Sequence, residues 1–153
     1  MSAPERSADS PAGSALAGLD PGRSKCGLVL TDPDRRVIRA ALVLPPEQAW
    51  QRIEAWRRSE GLGAVVLGDG TGSASWRRRL EPLLTVQLVD ETGTTLAARQ
   101  RYWELHPGRS WRRLLPPGLR LPPRDIDDVV AQLLLERHLG RPLARQGGGA
   151  ELG

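Results

Sequence analysis

Acidic residues stand at three places where short apolar runs end or begin. Asp20 closes the run from Leu16 and is followed by Pro21 and Gly22; Asp90 and Glu91 follow the run Val86 to Val89; Asp125, Asp127 and Asp128 open an apolar pattern that reaches Leu139. Carboxylates delivered to one rim of a sheet from three elements suit a hard divalent cation, Mg²⁺ or Mn²⁺, which prefers oxygen ligands. Two such cations about 3.5 to 4 Å apart neutralise both the attacking and the leaving oxygen when a phosphodiester is hydrolysed.

The elements that would position these acids can be read from turn signals and periodicity. Leu16 to Asp20, Cys26 to Thr31 and Val37 to Leu44 are β-prone runs separated by Pro-Gly and Asp-Pro-Asp turns, which predicts a three-stranded antiparallel meander. Pro45-Pro46-Glu47 opens a helix in which Trp50, Ile53 and Trp56 recur on one side while Arg52, Arg57 and Arg58 take the other. Ala64 to Leu67 is a buried-type strand, Gly68 to Ser73 a βα turn near the site, Ala74 to Leu83 a short helix, and Val86 to Val89 a strand parallel to the one before it. Thr94 or Thr95 caps the next helix, through Leu105, and Asp125 caps the last, with Asp128 as its capping-box partner. The order βββαβαβαα predicts an α/β domain with a mixed five-stranded sheet, three meander strands plus two parallel ones, flanked by helices. Asp20 and Glu91 are then expected at the carboxyl ends of adjacent parallel strands, the edge where open α/β sheets bind ligands.

Which acid of each group serves the site is a question of direction. In the last helix the apolar face centres on Ile126, Val130, Leu133 and Leu134, so at about 100° per residue Asp127 falls beside that face and Asp128 points away. Asp90 and Glu91 point to opposite faces by strand alternation, and irregularity at a strand end leaves both open. Each acid also has a structural role to weigh: Asp20 as the first residue of an Asp-Pro-Gly turn, and the three aspartates as acids that favour a helix N-terminus.

Bulk properties bound the rest. The chain of 153 residues carries a formal charge of +4 with pI near 10.4, and Lys25 is its only lysine. One domain of this size buries roughly 70% of its unfolded surface, enough for a real core. We expect a domain over 15–140 between disordered tails, 1–14 and 141–153, which are rich in small and polar residues. Arginine suits phosphate, so a polyanionic partner is expected, although a GC-rich genome would also favour arginine codons. No apolar segment has the length of a membrane span or the pattern of a signal peptide, so no membrane partner and a cytoplasmic protein are expected. Cys26, alone in an apolar run, reads as a buried, inert thiol, and His106 and His138 lack companions at metal-ligand spacing.

Three segments resemble a known family: Asp-Pro-Gly-Arg-Ser-Lys-Cys-Gly at 20 to 27, Val-Asp-Glu-Thr-Gly-Thr-Thr at 89 to 95, and Ile-Asp-Asp-Val-Val-Ala-Gln-Leu-Leu-Leu-Glu at 126 to 136. They resemble the YqgF-like proteins of the RuvC branch of the RNase H fold, described as Holliday-junction resolvases and precursor ribosomal RNA nucleases. The likeness covers Leu16 to Leu139. It implies an RNase H-like fold, a nuclease activity on pre-16S rRNA or branched DNA, Mg²⁺ or Mn²⁺ as cofactor, and a monomer or homodimer. Its acidic triad falls on Asp20, Glu91 and Asp127, which chooses Glu91 over Asp90. The chain departs from the pattern at Thr92 and Gly93, where the family usually has Arg and a large apolar residue. Val130 stands where the broader branch often has a further acid, which leaves three carboxylates.

Beside the acids lies a basic segment. Arg99, Arg101, Arg109, Arg112, Arg113, Arg120 and Arg124 face the single acid Glu104 between 97 and 124, with Tyr102, Trp103 and Trp111 interleaved. Arginines beside aromatic faces bind phosphates and stack unpaired bases, so Arg99, Arg109, Arg112, Arg113 and Arg124, with Arg23 and Lys25 of the first turn, are the expected nucleic-acid contacts. Packing of Tyr102 and Trp103 onto the sheet is the competing role, and Arg77 to Arg79 read as a solvated helix face. Two rival functions remain: a non-catalytic nucleic-acid binder whose acids serve structure, and a phosphate-binding hairpin of the actin and sugar-kinase kind. The latter clamps its nucleotide between two domain copies, for which the chain is too short.

Overall fold

The computed structural model describes residues 13–106, 122 and 125–146. Strands β1 (Ala15–Asp20), β2 (Cys26–Thr31) and β3 (Val37–Leu44) form the expected meander, with Asp20 opposite Gly27 and Cys26 opposite Leu44. The second turn closes where the Asp32 carboxylate accepts the amides of Arg36 and Val37 at 2.8 and 2.9 Å, and Arg35 takes a left-handed φ of 59°. After α1 (Pro46–Ser59), β4 (Leu62–Gly68) pairs parallel to β1; after α2 (Ser73–Leu80), β5 (Thr85–Val89) pairs parallel to β4. The α/β architecture, an antiparallel meander joined by two parallel strands, is the one expected, but the sheet has six strands where five were expected, because a short strand follows the last helix.

The sheet order is β5-β4-β1-β2-β3-β6, so β4 separates β1 from β5. Asp20 and Glu91 are therefore not on adjacent strands. They are two strands apart, because consecutive parallel pairings place β4 against β1 before β5 can join.

Strand alternation divides the core. Ala17 and Leu19 of β1 pack with Leu28 and Leu30 of β2 against α1 and α2 through Ala49, Ile53, Trp56, Trp76 and Leu80. Leu16, Val29, Ala64 and Val66 face the other way, against Ala131, Leu134 and Leu135 of α4 (Asp127–Leu139). Asp20 shares the parity of Leu16 and so points to the α4 side of the sheet. On the outside of α4 lies α3 (Thr94–Leu105), whose Ala98, Tyr102 and Trp103 bury Val129, Val130 and Leu133. Each such aliphatic side chain contributes about 1.5 to 3 kcal/mol when fully buried. Tyr102 and Trp103 thus have the packing role that competed with base stacking, but they pack helix on helix and not onto the sheet.

Both helix starts differ from the sequence reading. Gly93, at φ 75°, precedes α3, and Thr94 is its first residue; Ile126 precedes α4 without a side-chain cap. Asp125 and Asp128 do not form a capping box, because each has a partner elsewhere. The segment after α4, expected as a tail, is also part of the fold as far as Gln146: β6 (Ala144–Arg145) pairs parallel to β3 and buries Leu143 and Arg145.

Candidate active site

Asp20 and Asp127 are brought together by a residue without a side chain. Gly27, paired with Asp20 across the β1–β2 ladder, faces the first turn of α4, and a Cβ there would overlap the Asp127 carbonyl oxygen. Only glycine lets the helix end settle on the strand at this point. The helix face that rests on the sheet carries Ala131 and Leu134, four and seven residues after Asp127, so Asp127 lies on the sheet side as its spacing predicted.

Glu91 reaches the rim across the end of β4. A Cβ at Gly68 would lie 2.5 Å from its Oε1, and one at Gly70 would overlap its Oε2. The Gly-Asp-Gly sequence of this βα turn is a bed for the Glu91 carboxylate. Between the two glycines Asp69 accepts the Glu91 amide at 3.2 Å and donates its own amide to Val89 at 3.0 Å. Because the atoms met at Gly70 belong to the tip of a flexible side chain, Gly70→Ala is expected to leave the fold within about 1 kcal/mol of wild type while displacing the carboxylate. Cleavage should fall at least roughly tenfold with the melting temperature nearly unchanged; full activity in Gly70→Ala would show that Glu91 needs no such bed.

Burial and like charge bear on Asp20 and Asp127. Burial first, then the charges of Asp127 and Glu91, push the Asp20 carboxyl up to about 7. Asp127 is raised as well, by burial and by Asp125 and Asp128, with Lys25 opposing. Among the described residues, however, no three Asp, Glu, His or Cys side chains are gathered closely enough to form a ready metal cage. The donor set nevertheless fits a hard divalent cation: all three are carboxylates, and a cation beside Asp20 would favour its charged form against the burial and neighbouring charges that raise it.

Asp128 turns out to be buried. It is 3% exposed and accepts Arg145 Nη2 at 3.1 Å, while Arg145 Nε donates to Gln132 Oε1 at 2.9 Å. Gln132 Nε2 donates to Glu136 Oε2 at 3.1 Å and to the Leu143 carbonyl at 3.0 Å, and Glu136 also accepts Arg101 Nη1 at 2.7 Å. The chain from β6 through α4 to α3 thereby fastens the residue next to Asp127. The periodicity argument placed Asp128 outward because its partner lies in a stretch whose composition reads as tail.

Of the expected nucleic-acid contacts, Arg23 and Lys25 are exposed in the β1–β2 turn, and Lys25 forms an ion pair with Asp125. Arg99 is half-buried on α3. Arg109, Arg112, Arg113 and Arg124, with Trp111 and Arg120, lie outside the described residues. Arg101 is taken up by Glu104 and Glu136. Residues the sequence reading passed over are Asp69, Arg137 and Arg145; the glycines flanking Asp69 were the one visible signal.

Comparisons with known proteins follow the same direction. No family model matches the chain. A protein of Pelotomaculum thermopropionicum described as "Putative pre-16S rRNA nuclease" is 31% identical, over 87% of this chain and 93% of its own length. A second of that description, from a Psychrobacter species, is 31% identical over 86% of this chain and 81% of its own length. Among solved structures, RuvC of T. thermophilus in complex with a Holliday junction substrate is 17% identical with a TM-score of 0.43, covering 85% of this chain and 99% of that one. With two relatives 31% identical over most of their length, the chain belongs to the YqgF-like family, whose members here carry the pre-16S rRNA nuclease description.

Proposed function

We propose that this protein is a divalent-metal-dependent nuclease that cuts precursor 16S ribosomal RNA, with Asp20, Glu91 and Asp127 as its metal-holding acids. The reading is supported by the neighbourhood of Asp20, where burial first and then the charges of Asp127 and Glu91 push its carboxyl up to about 7. Bound Mg²⁺ or Mn²⁺ would supply charge neutralisation at the attacking and leaving oxygens. The chain itself contributes the rest: β1 and α4 hold Asp20 and Asp127 against each other across Gly27, and the glycine bed presents Glu91. Arg23, exposed in the adjoining turn, and Lys25 beside it are the proposed contacts to substrate phosphates, together with Arg99, Arg109, Arg112, Arg113 and Arg124.

Binding is expected to be strongly salt-dependent. Replacing Arg112 and Arg113 together should reduce the slope of log affinity against log salt by roughly 1.4 to 1.8, two phosphate contacts' worth; an unchanged slope would remove them from the interface. Phosphate contacts carry no information on the sugar, so substrate choice is read by incubating labelled precursor 16S rRNA and a four-way DNA junction side by side, with Mn²⁺ or with chelator. Mn²⁺-dependent cutting of the RNA supports the proposal, cutting of the junction alone reassigns the substrate, and binding without cutting of either makes the protein a nucleic-acid binder.

A further inference from the structure

Glu91 sits on a turn, where the backbone has no ladder to hold it. Its polar groups can be accounted for one by one. The Glu91 amide donates to Asp69, and its carbonyl accepts the Thr94 amide at 3.1 Å and the Thr94 hydroxyl at 2.7 Å. The Thr92 amide and hydroxyl donate to Asp90 Oδ1 at 2.9 and 2.7 Å. The carbonyls on either side of Glu91 are both taken by one guanidinium: Arg137 Nη1 donates to Asp90 O at 2.6 Å and Nη2 to Thr92 O at 2.8 Å.

Arg137 belongs to the last turn of α4, the helix whose first residue is Asp127. A planar fork with two fixed donors fits two carbonyls in a way a lysine ammonium would not, and charge-assisted bonds of this kind are about twice as strong as neutral ones. Its bonds go to main-chain oxygens, so they fix the path of the chain through Glu91 and not the direction of a neighbouring carboxylate. We propose that Arg137 is a positioning residue for Glu91, locking the turn so that one rigid helix sets the places of two of the three acids. The proposal rests on the reading of Glu91 as a site acid. It explains why a turn residue can serve in a site that needs fixed geometry: Asp69 holds the turn from β4, and Arg137 holds it from α4.

The test uses the full chain as wild type, Arg137→Ala, Arg137→Lys, Glu91→Gln and the double variant Glu91→Gln with Arg137→Ala. Two quantities are measured: Mn²⁺ affinity, from the paramagnetic resonance of free Mn²⁺, and amide hydrogen exchange of the peptide covering residues 89–95. Arg137→Ala is expected to weaken Mn²⁺ binding roughly tenfold and to speed exchange of that peptide about tenfold, with β1 to β3 unchanged. Arg137→Lys, which keeps the charge but not the planar two-nitrogen fork, should recover part of both and guards against a general loss of folding in the alanine variant. In the Glu91→Gln background the loss of Arg137 should weaken Mn²⁺ no further. Unchanged exchange of the turn, or equal loss of Mn²⁺ affinity with and without Glu91, would overturn the proposal. A wild type that binds no Mn²⁺ would overturn the reading of the acids themselves, and the proposal with it.

Discussion

Asp20→Asn is expected to abolish cleavage and, in the absence of divalent cations, to make the protein more stable above neutral pH. An ordinary aspartate ionises near 3.8, whereas burial and the charges of Asp127 and Glu91 push Asp20 up to about 7 in the folded chain. Between those values the folded state holds a proton that the unfolded state has lost, so stability falls as pH rises through this window and levels off above it. The full shift corresponds to an upper bound of roughly 4 kcal/mol; because Asp20 is only partly buried, about 2 kcal/mol is the realistic expectation at pH 8. The asparagine removes that penalty, which should raise the melting temperature by several degrees at pH 8 and leave it nearly unchanged at pH 4. Mg²⁺ or Mn²⁺ at a hundredfold excess over its dissociation constant should return about 2.7 kcal/mol to wild type and little to the variant. Cleavage should drop roughly a thousandfold or more, about 4 kcal/mol of barrier. A variant no more stable than wild type at pH 8 would mean that burial and the neighbouring charges do not raise Asp20 as the structure indicates.

Arg145→Met is expected to cost about 3 to 5 kcal/mol of stability, measured by urea unfolding, because it strands a buried carboxylate. The Arg145 side chain is 0% exposed and that of Asp128 4%. Neither can rehydrate in place, so the loss of one partner leaves the other's desolvation uncompensated. Replacing both, as Arg145→Met with Asp128→Leu, should recover most of the loss, since an apolar pair of similar volume has no charge to strand. Recovery of stability need not restore cleavage, because Asp128 is covalently next to Asp127 and its anchoring fixes the helix end there. A single variant that loses less than about 1 kcal/mol would contradict the account of β6 as a fastening strand.

The sequence showed the sheet well and the last helix poorly, for a physical reason. The strands β2 and β3 run over the residues their composition and turns predicted, since Pro-Gly and Asp-Pro-Asp punctuation is local chemistry. The helix α4 is buried at every position from Asp128 to Glu136, with the sheet on one side, α3 on another and the 143–145 segment on a third. A helix covered on three sides has no polar stripe to orient it, and an argument from amphipathicity then assigns a buried acid to solvent. Asp20 followed from the apolar run it closes and the Pro-Gly turn after it, Asp127 from helical spacing, and the choice of Glu91 over Asp90 from the family resemblance. What holds Glu91 was not legible: Arg137 lies 46 residues on from it, counting from 91 to 137, and Asp69 lies 22 residues before it.

The most direct test of the central claim is the rate at which the purified chain cuts labelled precursor 16S rRNA, measured for wild type and Asp20→Asn with Mn²⁺ and with chelator. The account predicts Mn²⁺-dependent cutting by wild type and none by the variant, with RNA binding equal in both. Cutting that survives either the chelator or the loss of Asp20 would contradict it.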